Sequence, residues 1–152
     1  YLKACDDFDL AARVLPRLHA AGVALAPAAA DLATVCGLMK ERAQTVNELA
    51  ELAHMFYAEP VISQADRARH LDAAPPALPA ALQALATMLQ AGDWTRDAIS
   101  SALKTVLAEH GLKMPQLAVP VRLKVFGIGQ TPSVDAMLAA MPRETVLRRL
   151  RA

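Results

Sequence analysis

The chain has 152 residues, 55% of them hydrophobic and 4% aromatic, with a net charge of +1, which is enough apolar material for one core or two small ones. No apolar run is long enough to span a bilayer, and no signal-peptide pattern opens the chain, so the composition is that of a soluble protein. Cys5 and Cys36 lack Cys-x-x-Cys partners, and His19, His54, His70 and His110 show no metal-ligand spacing, which argues against a disulfide framework or a zinc site and fits a reducing compartment.

Alanine and leucine outnumber β-branched residues, a balance that favours helices. Asp6, with Asp7 or Asp9, is placed to cap a first helix in which Leu10, Val14, Leu15 and Leu18 share a face, and Gly22 stands just past its end. Pro16 lies inside that pattern and is expected to kink the helix or delay its start. A run beginning at Pro27 and passing through Leu32, Val35, Leu38 and Met39 has helical period. Thr45 with Glu48 three residues on reads as a capping box, ahead of the stripe Val46, Leu49, Leu52 and Phe56.

Between Ala58 and Pro79 the apolar period lapses and three prolines crowd into 74–79. The pattern predicts a divide near Pro75 or Pro76, giving two helical subdomains at 1–75 and 76–152. Beyond it, Leu78, Leu82, Leu85 and Leu89 mark a helix stopped by Gly92. Thr95 or Asp93 caps another, with Ile99, Leu103, Val106 and Leu107 inward and Gly111 as its stop. Trp94 reads as a core anchor at that junction, because a base-stacking platform needs a face in solvent.

From Val121 to Val125 apolar residues alternate with Arg122 and Lys124, by itself the pattern of a half-buried strand. Thr131 as cap and Pro132 at a first helical position then open a helix with Val134, Met137, Leu138 and Met141 on its apolar face. After Met141-Pro142-Arg143-Glu144 a last helix turns Leu147 and Leu150 inward, leaving Arg148, Arg149 and Arg151 for solvent or RNA. Charge follows the same asymmetry. Up to Pro76 there are seven Lys/Arg against ten Asp/Glu, but from Ala77 on nine against five, and from Lys113 on seven against two. A basic end suits a polyanion, though a solvated helix end reads the same way.

The segment PVRLKVFGIGQTPS, Pro120 to Ser133, followed by an apolar stretch and RETVLRRL, resembles the closing segment of bacterial glutamyl-tRNA synthetases. KERAQTVNELAELAHMFYAEP, Lys40 to Pro60, is similar to that family's Glu-Arg-x-x-Thr helix, and YLKACDDFDLAARVLPRLHAAG to the segment that follows its catalytic part. One departure is Met-Pro-Arg-Glu where the family usually has Gly-Lys-Glu. The resemblance implies an all-α anticodon-binding region of two helical subdomains. It also implies a helix rather than a strand from Gln116 to Phe126, opened by Pro120. Neither the His-Ile-Gly-His-like nor the Lys-Met-Ser-Lys-like motif of the family's catalytic domain occurs here, and the chain opens on Tyr1. The expectation is therefore a piece of a cytoplasmic ligase that needs no cofactor of its own, with ATP and Mg belonging to a monomeric parent enzyme.

Its expected partner is the anticodon loop of tRNA(Glu), with no DNA or membrane partner. Guanidinium groups suit unpaired bases, since a planar fork donates two parallel hydrogen bonds or stacks on a base. The resemblance places Arg42 and Arg122 first among tRNA-binding residues, and Thr131, Pro132 and Val134 beside the Gly127–Gly129 turn. On spacing alone, Arg42 could instead pair with Glu41, Glu48 or Asp31, and Arg122 could clamp the turn through backbone carbonyls. A helical protein-interaction module without RNA binding is the alternative function. No carboxylate pair or activated nucleophile favours a free-standing enzyme.

Overall fold

Short polar residues set the helix starts. The computed structural model describes residues 2–26 and 29–152; Tyr1 and the expected helix start at Pro27 lie outside them. The chain divides into two compact units, Tyr1–Glu59 and Pro60–Ala152. All regular elements among the described residues are helical, and no strand occurs among them.

In the first unit a 3-10 turn, Leu2–Ala4, precedes α1 (Asp7–Ala20), which is capped by the Asp6 carboxylate. Asp31 caps α2 (Leu32–Met39), accepting the Thr34 N–H at 3.1 Å and its hydroxyl at 2.8 Å. A second 3-10 turn, Lys40–Arg42, leads to α3 (Val46–His54), whose cap Thr45 accepts the Glu48 N–H at 3.1 Å. Glu48 reaches back one residue further than a standard capping box, to the N–H of Gln44 at 2.8 Å. The three helices pack mutually, burying Leu10, Val14 and Leu18 together with Val35, Cys36, Met39, Leu49 and Ala53. Pro16 neither delays nor ends α1. It lies on the exposed side, as does Ala12, so water can satisfy the carbonyl that proline leaves without an N–H.

In the second unit Ser63 caps a single turn, α4 (Gln64–Asp66), which runs directly into a π-helical turn, Arg67–Asp72. Then come α5 (Leu78–Ala91), α6 (Arg96–His110), α7 (Met114–Phe126), α8 (Val134–Ala139) and α9 (Arg143–Arg151). Leu78, Leu82, Leu85 and Leu89 of α5 are all buried, as are Ile99, Leu103 and Val106 of α6. Thr95 caps α6, and Gly111 closes it in the left-handed region at φ 64°.

Three expectations shift. The unit boundary falls between Glu59 and Pro60 rather than near Pro75. The prolines there belong to the start of α5, with the Pro75 carbonyl accepting the Leu78 N–H at 3.0 Å and Pro79 in the first turn. Residues 116–126 are helical, as the resemblance implies, but α7 begins at Met114 and Pro120 lies inside it; Pro115 takes the first-turn role. The strand-like alternation arises because α7 contacts α5, α6, α8, α9 and the π-helical turn. Leu117, Ala118, Val121, Leu123, Val125 and Phe126 are consequently buried around most of its circumference, and a two-faced pattern has no reason to appear. Finally, α8 starts at Val134 with Ser133 in the cap position, so Thr131 and Pro132 precede the helix rather than open it.

Candidate functional site

The turn between α7 and α8 is built from the backbone outward. Gly127 ends α7 at φ 79°, and a Cβ there would stand 3.1 Å from both the N and O atoms of Val61. Glycine is required twice over, by conformation and by the close approach of the segment leading into α4. Gly129 meets only ordinary contact, 3.5 Å to Val119. One turn before the helix end, Arg122 sends its Nε to the Thr131 hydroxyl at 2.8 Å, with Nη2 3.5 Å from the Pro132 carbonyl. The Thr131 hydroxyl in turn donates to the Pro132 carbonyl at 2.7 Å. Arg122 is thus the clamp of the turn, with its guanidinium half-buried beside it.

Thr131 and Val134 are buried at 8% and 6% exposure, whereas Pro132 is half-buried and Ile128 and Gln130 are exposed. The turn therefore presents Arg122, Pro132 and backbone, while Thr131 and Val134 hold its shape. The start of α8 is tied down by Asp135, which accepts from the Ser133 hydroxyl, from the Ala136 N–H at 2.8 Å and from Arg96 Nε at 3.1 Å. Burial raises the Asp135 carboxyl, but the hydrogen bonds from Ser133, Arg96 and Ala136 outweigh it and leave the group below its ordinary value.

Among the arginines of α9, Arg148 and Arg151 are exposed as their sequence reading has them, and Arg149 differs. Arg149 is buried at 5% exposure and donates Nη1 to the Val125 carbonyl at 2.6 Å, in the last turn of α7. It is not left for solvent or RNA. Arg143 reaches the end of α5, donating to the carbonyls of Gln90 at 3.2 Å and Gly92 at 2.8 Å, with its guanidinium 5.5 Å from the Trp94 ring centroid. Both bring a cation to carbonyls at or just past a helix C-terminus that have no intrahelical donor. Trp94 is half-buried and its indole N–H donates to the Met141 carbonyl at 2.8 Å, so it anchors the α5–α6 junction to the α8–α9 bend. A sequence signal for Arg149 existed: it stands three residues after Val146 and two after Leu147, within the buried stripe of α9.

In the first unit Arg42 ends the Lys40–Arg42 turn, exposed and without a hydrogen bond or ion pair to any described residue. The pairing with Glu41, Glu48 or Asp31 does not form: Glu48 serves Gln44 and Asp31 serves Thr34. Its neighbour Lys40 is the paired cation, 2.8 Å from Asp7 and 3.3 Å from the Cys5 carbonyl. The Asp7 hydrogen bond raises the Lys40 ammonium despite burial acting the other way. No group of three or more His, Cys, Asp or Glu side chains that could hold a metal occurs among the described residues. No helix among them is long and apolar enough to cross a membrane.

The sequence matches the family described as "Anticodon binding domain" over residues 9–152, and the chain belongs to that family. It is 48% identical to a glutamate–tRNA ligase of Bordetella petrii and 49% identical to one of Burkholderia vietnamiensis, in each case over all of this chain and 32% of the relative. The chain thus spans about a third of the length of these curated relatives. Its fold is shared with the crystal structure of a glutamate tRNA ligase from Elizabethkingia meningosepticum in complex with its amino acid, at a TM-score of 0.85 and 20% identity over 99% of this chain and 29% of that one. A glutamate–tRNA synthetase from Elizabethkingia anophelis gives a TM-score of 0.82 at 19% identity.

Proposed function

We propose that this chain selects tRNA(Glu) by its anticodon loop on behalf of a glutamate–tRNA ligase. The parent enzyme would join glutamate to the tRNA through an ATP-driven, Mg-assisted glutamyl-adenylate formed in a catalytic domain outside these residues. On this reading the chain alone ligates nothing and works in the cytoplasm. The observation that carries it is the α7–α8 turn, in a chain matched to an anticodon-binding family along nearly its whole length. Arg122 supports a reader's role because its guanidinium, fixed by Thr131 and half-buried, has lost its rotamer freedom before RNA arrives. Arg42 supports one because it is exposed and bonds to no other described residue. Pro132 offers apolar surface to a base, and Thr131 and Val134 belong to the site by shaping the turn.

The test is binding of tRNA(Glu) and of a transcript altered only in its anticodon. The chain should prefer the first. Arg122→Ala should narrow that preference by roughly 1–3 kcal/mol if the guanidinium makes a bidentate base contact. Equal loss for both transcripts would remove Arg122 as a reader. Equal, salt-insensitive binding of both by the wild-type chain would favour the helical protein-interaction module instead.

A further inference from the structure

Gln116, Val119 and Arg122 recur every third residue on α7 and so form one line along it. None of the three is buried, whereas Leu117, Ala118, Val121 and Leu123 between and beside them are. At one end of the line stands the Arg122 clamp, and at the other lies a cleft of about 270 Å³ between the π-helical turn and the start of α7. Val119 belongs to both places: it lines the cleft, and a Cβ on Gly129 of the α7–α8 turn would stand 3.5 Å from it. Pro75, Pro115 and Val119 give the cleft apolar walls, and Arg69, His70 and Gln116 its polar groups. Arg69 and His70 make no hydrogen bond or ion pair with any other described residue. Gln116 Oε1 accepts the Lys113 N–H at 2.9 Å, which leaves its amide NH2 to donate elsewhere. The Gln116 carbonyl adds an acceptor, because Pro120, four residues on and also lining the cleft, has no N–H to give it. The opposite wall is the π-helical turn, closed by the Ala73 N–H on the Ala68 carbonyl at 3.0 Å; such turns recur at functional sites.

We propose that this cleft takes the unpaired tRNA base next to the anticodon triplet, while the triplet itself faces the α7–α8 turn. It rests on the tRNA-binding reading and adds one base to the surface that reads the loop. Proline rings and Val119 offer apolar surface to a heterocycle, and the planar groups of Arg69 and His70 stack on a base or donate to its edge. Gln116 contributes a donor and an acceptor, the two kinds of partner that a base edge needs and of which a phosphate uses only the first. The cleft is smaller than the roughly 300–1,000 Å³ of sites for drug-sized ligands, so it suits a single heterocycle. Val119 and Arg122 lie about 4.5 Å apart along the helix axis. That distance is comparable to the ~3.4 Å between stacked nucleotides, so consecutive bases of one strand reach cleft and turn together.

The experiment measures affinity of the 152-residue chain and its Arg69→Ala and Arg69→Lys variants for three kinds of RNA. These are intact tRNA(Glu), tRNA(Glu) with one abasic nucleotide at each unpaired loop position in turn, and the anticodon-altered transcript. Removing the base beside the triplet should weaken wild type about tenfold. Arg69→Ala should weaken the intact transcript about three- to fivefold yet bind that abasic transcript as wild type does, because the group it contacts is gone. Arg69→Lys should behave like Arg69→Ala, since lysine keeps the charge and loses the plane. Arg69 is exposed and bonds to no described residue, so neither variant should disturb folding. If Arg69→Ala weakens intact and abasic transcripts alike, the proposal is overturned, and restoration by Arg69→Lys would assign the cleft to a phosphate instead. Unchanged binding by Arg69→Ala, or coupling of Arg69 to a base inside the triplet, would overturn it too. The two readings can fail separately. If wild type prefers the cognate anticodon and no abasic position beside the triplet matters, the cleft falls alone. If wild type binds cognate and altered anticodons alike while Arg69 couples to the flanking base, the cleft stands and anticodon reading falls. Binding to none of the transcripts would remove both.

Discussion

The two units commit their arginines differently. In Pro60–Ala152 four guanidinium groups serve the architecture: Arg143 at the end of α5, Arg149 at the end of α7, Arg122 at the turn before α8, Arg96 at Asp135. In Tyr1–Glu59 Arg17 bonds Asn47 and Lys40 pairs with Asp7, while Arg42 is exposed and bonds to no other described residue. The difference teaches that a basic segment and an RNA-binding segment are separate properties. Charge density drew attention to the C-terminal part of the sequence, yet much of that charge satisfies helix carbonyls. Arg42, exposed in a less basic unit, has more freedom to bind.

The sharpest way to break this comparison is at Arg149. If it is architectural, Arg149→Ala should destabilise the chain by about 3 kcal/mol, combining a charged hydrogen bond lost to a buried carbonyl with lost packing of the side-chain stem. Arg149→Met, which keeps most of the stem, should cost about 2 kcal/mol. Urea unfolding followed by circular dichroism measures both. A stability equal to wild type, together with weakened tRNA binding, would return Arg149 to the RNA-facing set.

The units also differ in how they meet alkali. In the first, burial, followed by Asp7 and Asp31, pushes the Cys36 thiol up from its ordinary 9.0 to about 11. Burial likewise raises the Tyr57 hydroxyl, which donates to the Ala30 carbonyl. Between pH 9 and 11 the unfolded chain holds fewer protons at these groups than the folded one, so stability falls as pH rises, by about 2 kcal/mol for Cys36. Lys124 in the second unit acts with the opposite sign: its lowered value means the folded chain gives up that proton first, which favours folding as pH climbs toward 10.5. Cys36→Ala should flatten the alkaline loss in urea unfolding at about pH 8.5 and about pH 10.5. An undiminished loss in that variant would show that the thiol does not carry it.

What the sequence made legible was local. Caps such as Thr45 and Thr95 and the stop at Gly111 depend on residues within one turn, so their spacing is written in the chain. Heptad-like leucines on α5 declared their buried face for the same reason. What stayed hidden depends on partners far away in sequence. Nothing near Arg149 announces that Val125 needs a donor, and nothing near Pro75 says that the segment before it lies against Gly127. For the candidate site, the arginine and the small-residue turn were legible through resemblance, but burial of Thr131 and Val134 was not, because α7 and α8 pack only in three dimensions.

Gly127 sharpens the comparison at smaller amplitude. Gly127→Ala should cost about 1–2 kcal/mol, the penalty of a Cβ in the left-handed region, with the 3.1 Å approach of Val61 adding to it. Gly129→Ala should be close to neutral, since its Cβ would meet only ordinary contact. Similar costs at both positions, measured by urea unfolding, would mean that the turn is rigid throughout rather than pinned at Gly127.

Arg42 should give the smallest change in stability and the cleanest functional signal. The side chain is exposed and has no bond within the described chain, so Arg42→Gln should alter folding by less than about 0.5 kcal/mol, as for surface positions generally. Glutamine keeps hydrogen-bonding ability but loses the charge and the planar fork. If the fork reads a base, preference for the cognate anticodon should relax by about 1 kcal/mol at one position, with overall binding reduced but not abolished. If Arg42 only attracts phosphate, both transcripts should weaken together and the salt slope should fall by about one unit. An unchanged preference and an unchanged slope would leave the exposed arginine without a role in tRNA binding, and the contrast between the two units would then concern stability alone.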